Sequence, residues 1–265
     1  MTTWLITGIN SGFGREMATQ LLDRGDRVAG TIRRLGSAED LVEAYRERLR
    51  IFDLDVTDRV AVRAVVDAAF AELGRIDVVV SNAGYGLFGA AEEVTDEQVE
   101  HQIATNLLGS IQVIRAALPH LRRQGGGRIV QMSSVAGLAA HPGASLYHAS
   151  KWGVEGFVEA LAGEVAPFGI GVTLVEPGGA RTAFAGSSLR LGAAMSAYDG
   201  TPAAFVRAIA AGNVDLPGDP AEIAARVLAS VERSPAPLRL VLGQDSYDGV
   251  TAALRGRLAQ ITADN

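Results

Sequence analysis

The chain has 265 residues, and 48% of them are hydrophobic, enough for a sizeable core and too many for a disordered chain. Its net charge of −6 argues against non-specific nucleic-acid binding, which relies on Lys and Arg neutralising phosphates. Cysteine is absent, which excludes disulfides, thiolate chemistry and cysteine-ligated metals; the four histidines, His101, His120, His141 and His148, show neither HxxxH nor HxH spacing, so no metal site is expected.

The N-terminus runs straight into a strand pattern, without a basic n-region or a long apolar h-region. No run of about 18 apolar residues occurs. Neither a signal peptide nor a membrane span is expected, and the expected location is the cytoplasm. Residues 4–7, Trp-Leu-Ile-Thr, suit a buried parallel strand. They lead into a glycine turn, Gly8-Ile9-Asn10-Ser11-Gly12-Phe13-Gly14, and an amphipathic helix over 15–24 with Gly25 at its C-cap. Strand, glycine turn and helix together point to nucleotide binding: glycines let main-chain N–H groups approach a pyrophosphate at a helix N-terminus, where the dipole favours anions. The spacing here is G-x-x-x-G-x-G rather than G-x-G-x-x-G.

A second strand over 27–32 is followed by Arg33-Arg34. In a dinucleotide fold an acidic residue at this place bonds the ribose 2′-OH, whereas arginine accommodates a 2′-phosphate. The reading is NADP(H) in preference to NAD(H), against two solvated loop arginines. A helix over 40–48 and a strand over 49–54 precede Asp55-Val56; Asp55 is either a turn residue or a contact to an adenine amino group. Asp58 caps the next helix, which Gly74 ends. The fourth strand, 76–81, closes in Asn82-Ala83-Gly84, small residues at the strand end where open parallel sheets bind ligands. Thr95-Asp96-Glu97-Gln98 is a capping-box signature. The helix it opens contains Asn106, unfavourable in mid-helix. Asn106 sits either on a solvated face or at a local break that frees a backbone group for water or ligand.

A fifth strand over 128–133 leads to the stretch 134–151, which carries Ser134, Tyr147 and Lys151. Tyr147 and Lys151 are four apart and share a helix face. An ammonium beside a phenol favours the phenolate, so the phenol should titrate below its ordinary ~10, which makes Tyr147 a candidate general acid/base. The Ser134 hydroxyl could hold a substrate oxygen. The helix continues to about residue 168, and a sixth strand over 172–175 ends in Pro177-Gly178-Gly179. Residues 182–217 lack long regular periodicity and read as a substrate lid, with core-packing helices as the alternative. A helix over 220–233, a last strand over 238–242 and a polar helix or frayed end over 245–265 complete the chain. Strand–helix alternation implies one α/β domain, 1–265: a Rossmann-type doubly wound parallel sheet of about seven strands with helices on both faces.

The ordered set Thr7-Gly8-xxx-Gly12-x-Gly14, Asp55-Val56, Asn82-Ala83-Gly84, Asn106 before Gly109, Ser133-Ser134, Tyr147-xxx-Lys151 and Pro177-Gly178-xxx-Thr182 resembles the short-chain dehydrogenase/reductase family, closely over 1–182 and loosely beyond. The resemblance implies that Tyr147 exchanges a proton with the substrate oxygen, Lys151 depresses its pKa and holds the nicotinamide ribose, Ser134 orients the carbonyl or alcohol, and Asn106 holds a water in the proton relay. It implies that Gly8, Asn10, Ser11, Phe13 and Gly14 surround the adenosine and pyrophosphate, Asp55 and Val56 contact adenine, Asn82, Ala83 and Gly84 line the cofactor ribose, and Pro177, Gly178 and Thr182 embrace the nicotinamide. Arg33 and Arg34 resemble the basic determinant of NADP-dependent members. Ser11 departs from relatives that carry a basic residue before the second glycine, so the 2′-phosphate reading rests on one loop.

The reaction implied is reversible hydride transfer between NADP(H) and a ketone or aldehyde and its alcohol. The substrate is expected to be small and apolar, against Ser134, Ala140, His141, Tyr147, Gly179, Phe184 and Met195, with Tyr85, Leu87 and Gly178 nearby. The look is that of the hydroxysteroid- and retinol-dehydrogenase-like branch or of ketoreductases. The rivals are a non-catalytic NADPH sensor and an epimerase or dehydratase on the same sheet. The apolar helix following Tyr147, with Trp152, Val154, Phe157, Val158 and Leu161, suits a homodimer or homotetramer interface; the alternative is that all of it packs on the sheet.

Overall fold

A computed structural model describes residues 1–182, 184 and 188–263. The strands are β1 (Thr3–Thr7), β2 (Arg27–Ile32), β3 (Leu49–Asp53), β4 (Val78–Ser81), β5 (Gly86–Phe88), β6 (Gly127–Met132), β7 (Ile170–Pro177), β8 (Leu189–Leu191) and β9 (Arg239–Leu242). Seven of them form one sheet in the order β3-β2-β1-β4-β6-β7-β9, with every neighbouring pair parallel. The order steps outward from β1 in both directions, so the ends of β1 and β4 diverge where the winding reverses, the place at which such sheets bind ligands.

The helices are α1 (Gly12–Asp23), α2 (Glu39–Tyr45), α3 (Arg59–Leu73), α4 (Asp96–Ile103), α5 (Ser110–Arg123), α6 (Ser145–Val165), α7 (Phe205–Ala210), α8 (Pro220–Ser230) and α9 (Gln244–Ala263). Side chains alternate across a strand, so β1 sends Trp4 and Ile6 to one face and Leu5 to the other. On the first face they meet Met17, Leu21 and Leu22 of α1 and Val227 and Leu228 of α8. On the second, Leu5 joins Val62 and Val66 of α3, Val113 and Ile114 of α5 and Val154 and Val158 of α6. Both faces are covered, which is why the central strands are aliphatic without polar alternation. Asp58 caps α3, its Oδ1 accepting from the N–H groups of Val60 (2.9 Å) and Ala61 (3.0 Å). The capping box at Thr95 and Gln98 forms as expected. Among the described residues no helix is long and apolar enough to cross a membrane.

The structure refines the sequence expectation at four places. A small parallel pair, β5 with β8, stands outside the main sheet; three-residue strands carry too little periodicity to read from sequence. The helix around Asn106 is a π-helix over Ala104–Gly109 between α4 and α5, so the expected local break is one wide turn. The tail is a helix to Ala263. The expected lid, 182–217, falls partly on residues 183 and 185–187, which lie outside the described residues. Its described part holds β8, two short 3-10 turns and α7, and Val206 of α7 is buried, so part of it packs as core.

Candidate active site

The turn after β1 is close-packed backbone. Gly8 has φ +75°, a left-handed conformation that favours glycine. A Cβ on Gly14 would stand 2.2 Å from the Gly8 carbonyl oxygen and 2.5 Å from Asn82 Nδ2, so only glycine fits there. Asn82 Nδ2 donates to the carbonyl oxygens of Thr7 (2.8 Å) and Gly8 (3.2 Å). The Thr7 hydroxyl accepts from the N–H groups of Asn82 (2.9 Å) and Ala83 (3.0 Å). These bonds tie the ends of β1 and β4 together. Ser11, the N-cap of α1, makes no side-chain capping bond, so no side chain competes for the first N–H groups of α1, and these are the ones that suit an anion.

A continuous cleft of about 1890 Å³ runs along the C-terminal ends of β1, β2, β4, β6 and β7. It gathers Gly8, Asn10, Ser11, Phe13, Arg33, Arg34, Asp55, Val56, Asn82, Ala83, Gly84, Ser134, His141, Tyr147, Lys151, Pro177, Gly178, Gly179, Thr182 and Phe184, together with Tyr85 and Leu87. Gly14 lies beneath the turn rather than on the wall. Asn106, Ala140 and Met195 do not line the cleft. Ala140 and Met195 are solvent-exposed, and the Met195 N–H is turned to Glu93 Oε1 at 2.8 Å. Asp55 is held as a turn residue, its Oδ1 accepting from the Thr57 N–H and hydroxyl (2.9 and 2.7 Å), while still facing the cleft. Arg33 and Arg34 are both exposed along it.

Ser134 ends the loop after β6 and accepts from the Ala136 N–H at 3.1 Å. Tyr147 and Lys151 stack one turn apart on α6, each under 10% exposed. Lys151 Nζ donates to the Met132 carbonyl at 2.9 Å and stands 5.8 Å from the Tyr147 ring centroid. The phenol packs between Phe88 and Phe184, centroids 5.8 and 5.5 Å away. Here the structure corrects the sequence reading. Burial pushes the Tyr147 phenol up to about 12, with Ser134 working the other way. Lys151 is engaged by the Met132 carbonyl and does not offset the apolar surroundings. Burial also brings the ammonium of Lys151 down to about 8, opposed by Glu155. Tyr147 therefore holds its proton through the neutral range.

Asn106 is buried rather than solvated (1% exposed). Its Oδ1 accepts from the Tyr85 N–H at 3.1 Å and its Nδ2 donates to the Tyr85 carbonyl at 2.9 Å. Its own carbonyl accepts from the Ser110 hydroxyl at 2.9 Å. The π-turn thus delivers an amide that grips the chain just after Asn82-Ala83-Gly84.

Sequence reasoning passed over three groups. His148 bridges the loop ahead of α6: Nδ1–H donates to the Ala136 carbonyl and Nε2 accepts from the His141 N–H, both 2.9 Å. Asp245 of α9 accepts from the Gly179 N–H at 2.7 Å, which pins the Pro177-Gly178-Gly179 wall. Glu155 lies one turn beyond Lys151 and is 4% exposed. A compositional signal was available for that neighbourhood: Lys151 is the sole lysine in the sequence, and the other twenty-three basic residues of the Lys and Arg total are arginines.

A seven-stranded parallel sheet with helices on both faces and a cleft along its strand ends is the Rossmann-type α/β architecture. Within that class, the family model for short chain dehydrogenases matches residues 2–190, and the chain belongs to this family. It is 40% identical over 249 residues to "Oxidoreductase BOA17" of Botryotinia fuckeliana, covering 92% of this chain and 90% of that one. A short-chain dehydrogenase structure from Streptomyces avermitilis superposes with a TM-score of 0.93 at 39% identity, covering 99% of this chain and 95% of that one. The structure "ElxO with NADP Bound" matches with a TM-score of 0.77 at 25% identity, covering 95% and 99%. A Burkholderia phymatum relative in complex with NAD shares the fold, with a TM-score of 0.85 at 23% identity over 100% and 95%.

Proposed function

We propose that this chain is an NADP(H)-dependent oxidoreductase that interconverts a ketone or aldehyde and an alcohol. The observation that carries the reading is the meeting of Ser134, Tyr147 and Lys151 on one wall of a single cleft whose far end is bordered by Arg33 and Arg34. The tight Gly8–Gly14 turn and the N-terminus of α1 fit a pyrophosphate, Asn82 to Gly84 and Lys151 a ribose, and Pro177, Gly178 and Thr182 a nicotinamide. Arg33, with Arg34, is the group for a 2′-phosphate, because guanidinium binds two phosphate oxygens in its planar fork. When bound, such a cofactor supplies or accepts the hydride.

The chain's own residues handle the proton. As charge grows on the substrate oxygen, Ser134 and Tyr147 donate hydrogen bonds to it and Tyr147 gives up its proton. The Lys151 ammonium offsets the charge left on the phenol. A phenol that keeps its proton through the neutral range is in the form that donation to a carbonyl requires. Asn106 orders the wall through Tyr85. Phe88, Phe184, Leu189, Val206, Ile209 and Leu216 face the substrate end of the cleft and support a small apolar ketone with a hydrophobic body. We read the chain as a single domain over 1–265 with the lid at 182–217, assembled as a homodimer or homotetramer in the cytoplasm. Trp152, 42% exposed on α6 and stacked by Arg257 at 4.8 Å, supports the assembly; Val154, Val158 and Leu161 of the same helix pack on the sheet.

The test is titration with NADPH and NADH, followed by NADPH oxidation against a panel of apolar ketones. Tighter NADPH binding with steady turnover supports the whole reading. Equal affinity for the two nucleotides sinks the Arg33 assignment, and binding without turnover on any ketone sinks the reaction.

A further inference from the structure

Behind Lys151, away from the cleft, the fold buries a ladder of charge. Glu155 of α6 follows Lys151 by one helical turn. Its Oε2 accepts from the Arg239 guanidinium of β9 at 3.2 Å. The same guanidinium approaches Glu176 of β7 (Nε to Oε1, 3.2 Å) and bonds Glu159 Oε2 at 2.9 Å. The Glu155 and Glu176 side chains are 5% and 0% exposed, whereas that of Glu159 is 58% exposed. Both Glu176 carboxylate oxygens are buried without a hydrogen-bond partner among the described residues. Glu155 Oε1 and Ser133 Oγ both crowd the Gly137 position, where an added Cβ would lie 2.8 and 2.6 Å from them. A buried carboxylate with unsatisfied oxygens is costly, so hydrogen bonding within the ladder does not account for its place.

We propose that Glu155 is a positioning residue that holds Lys151 in its cationic form, and through Lys151 sets the alkaline limit of the reaction proposed above. Lys151 is 8% exposed, its one hydrogen bond among the described residues is to a neutral carbonyl, and the anion one turn on along its own helix face is Glu155. Glu155 in turn faces Lys151 and Glu159 from α6, Ser133 after β6, Glu176 from β7 and Arg239 from β9. Two buried carboxylates share Arg239, so the ladder does not ionise in one step. Burial pushes Glu176 up to about 7, with Glu155 adding to the rise and Arg239 opposing it. Burial likewise raises Glu155, while Ser133, Arg239 and Lys151 pull it back.

The single lysine makes the test direct. Protein labelled with side-chain ¹⁵N-lysine gives one ammonium resonance, whose shift against pH reads the ionisation of Lys151 without any turnover. In Glu155→Gln the midpoint should fall by about one pH unit, since removing an adjacent opposite charge disfavours the charged form. Glu155→Asp should restore most of it, and Glu159→Gln should leave it in place. An unchanged midpoint in folded Glu155→Gln overturns the proposal. Should Glu155→Gln fail to fold, the unaltered protein still decides. Its lysine resonance should show a small step near neutral, as the Glu155–Glu176 pair ionises, and a large one above it. A single step at the ordinary lysine value of about 10.4 overturns the proposal. The alkaline limb of kcat/KM for NADPH-dependent ketone reduction should follow the midpoint downward. A midpoint that moves while the limb stays leaves the charge coupling standing and removes Lys151 from the proposed reaction.

Discussion

In the reaction proposed above, the single oxygen of Tyr147 is the only part of that side chain a substrate needs to reach. Tyr147→Phe keeps the ring between Phe88 and Phe184 and removes that oxygen. Turnover should fall by about 10²–10⁴-fold, the usual worth of general acid catalysis, while NADPH titration stays close to that of the unaltered protein; unchanged turnover would refute the assignment. His148 offers a pH test that does not involve the reaction. It is built in as a neutral ring, donating at Nδ1 and accepting at Nε2. Burial lowers it below its ordinary value, with the His141 side chain adding to the fall and the Ala136 carbonyl bond opposing it. Protonation is then easier in the unfolded chain. The stabilisation is fully present above about pH 6.5 and is lost as pH falls below it. Urea denaturation should therefore show the unaltered chain losing stability relative to His148→Gln between about pH 6.5 and pH 5. Parallel curves would refute the coupling.

At the scale of elements, residues 189–211 form a strap at the proposed substrate end that is fastened at one buried carboxylate. Glu93, 4% exposed, accepts from the Ala90 N–H through Oε2 and from the Met195 N–H through Oε1, both at 2.8 Å, and pairs with Arg207 of α7. The Met195 and Ala90 N–H groups, helped by Arg207 and opposed by burial, hold this carboxyl below its usual range, so the clasp keeps its charge into mildly acidic solution. Glu93→Gln should speed hydrogen–deuterium exchange across 189–211 and raise KM for the ketone more than it lowers kcat, with nucleotide affinity unchanged. Exchange confined to its original rate would mean that β5–β8 pairing alone holds the strap. This clasp was not legible in the sequence. Glu93 and Arg207 are 114 residues apart, and neither sits in a periodic pattern that marks it as buried. The caps at Asp58 and Thr95 were legible because their partners lie within three residues. The π-turn was half legible: Asn106 announced a disturbance in its helix, but the Tyr85 main chain that it grips comes from another element.

Over the whole molecule, the sheet could be read from sequence because each strand is an aliphatic run ending in small residues, and parallel strands bring those ends to one side of the sheet. The ionisation of Tyr147 could not. Spacing placed Lys151 beside it, whereas the pKa depends on how much apolar surface closes over the phenol and on the Met132 carbonyl that occupies the ammonium, both set by packing between distant segments. Ala140 and Met195 show the same limit on the substrate side: closeness in sequence to Tyr147 or to the strap did not bring them to the cleft.

Lys151 sits in the first half of α6, with its flanking main chain inside the helix and its ammonium on the Met132 carbonyl at the end of β6. A lysine-specific protease therefore has one bond to cut in the entire chain, and that bond lies within a helix. Cleavage divides 1–151 from 152–265, separating the segment with β1 to β6 from the one with β7 to β9. The appearance of those two fragments is a one-cut clock for global opening. Its rate should climb with urea in step with the loss of the folded state, and cutting that ignores urea would reveal α6 unravelling on its own.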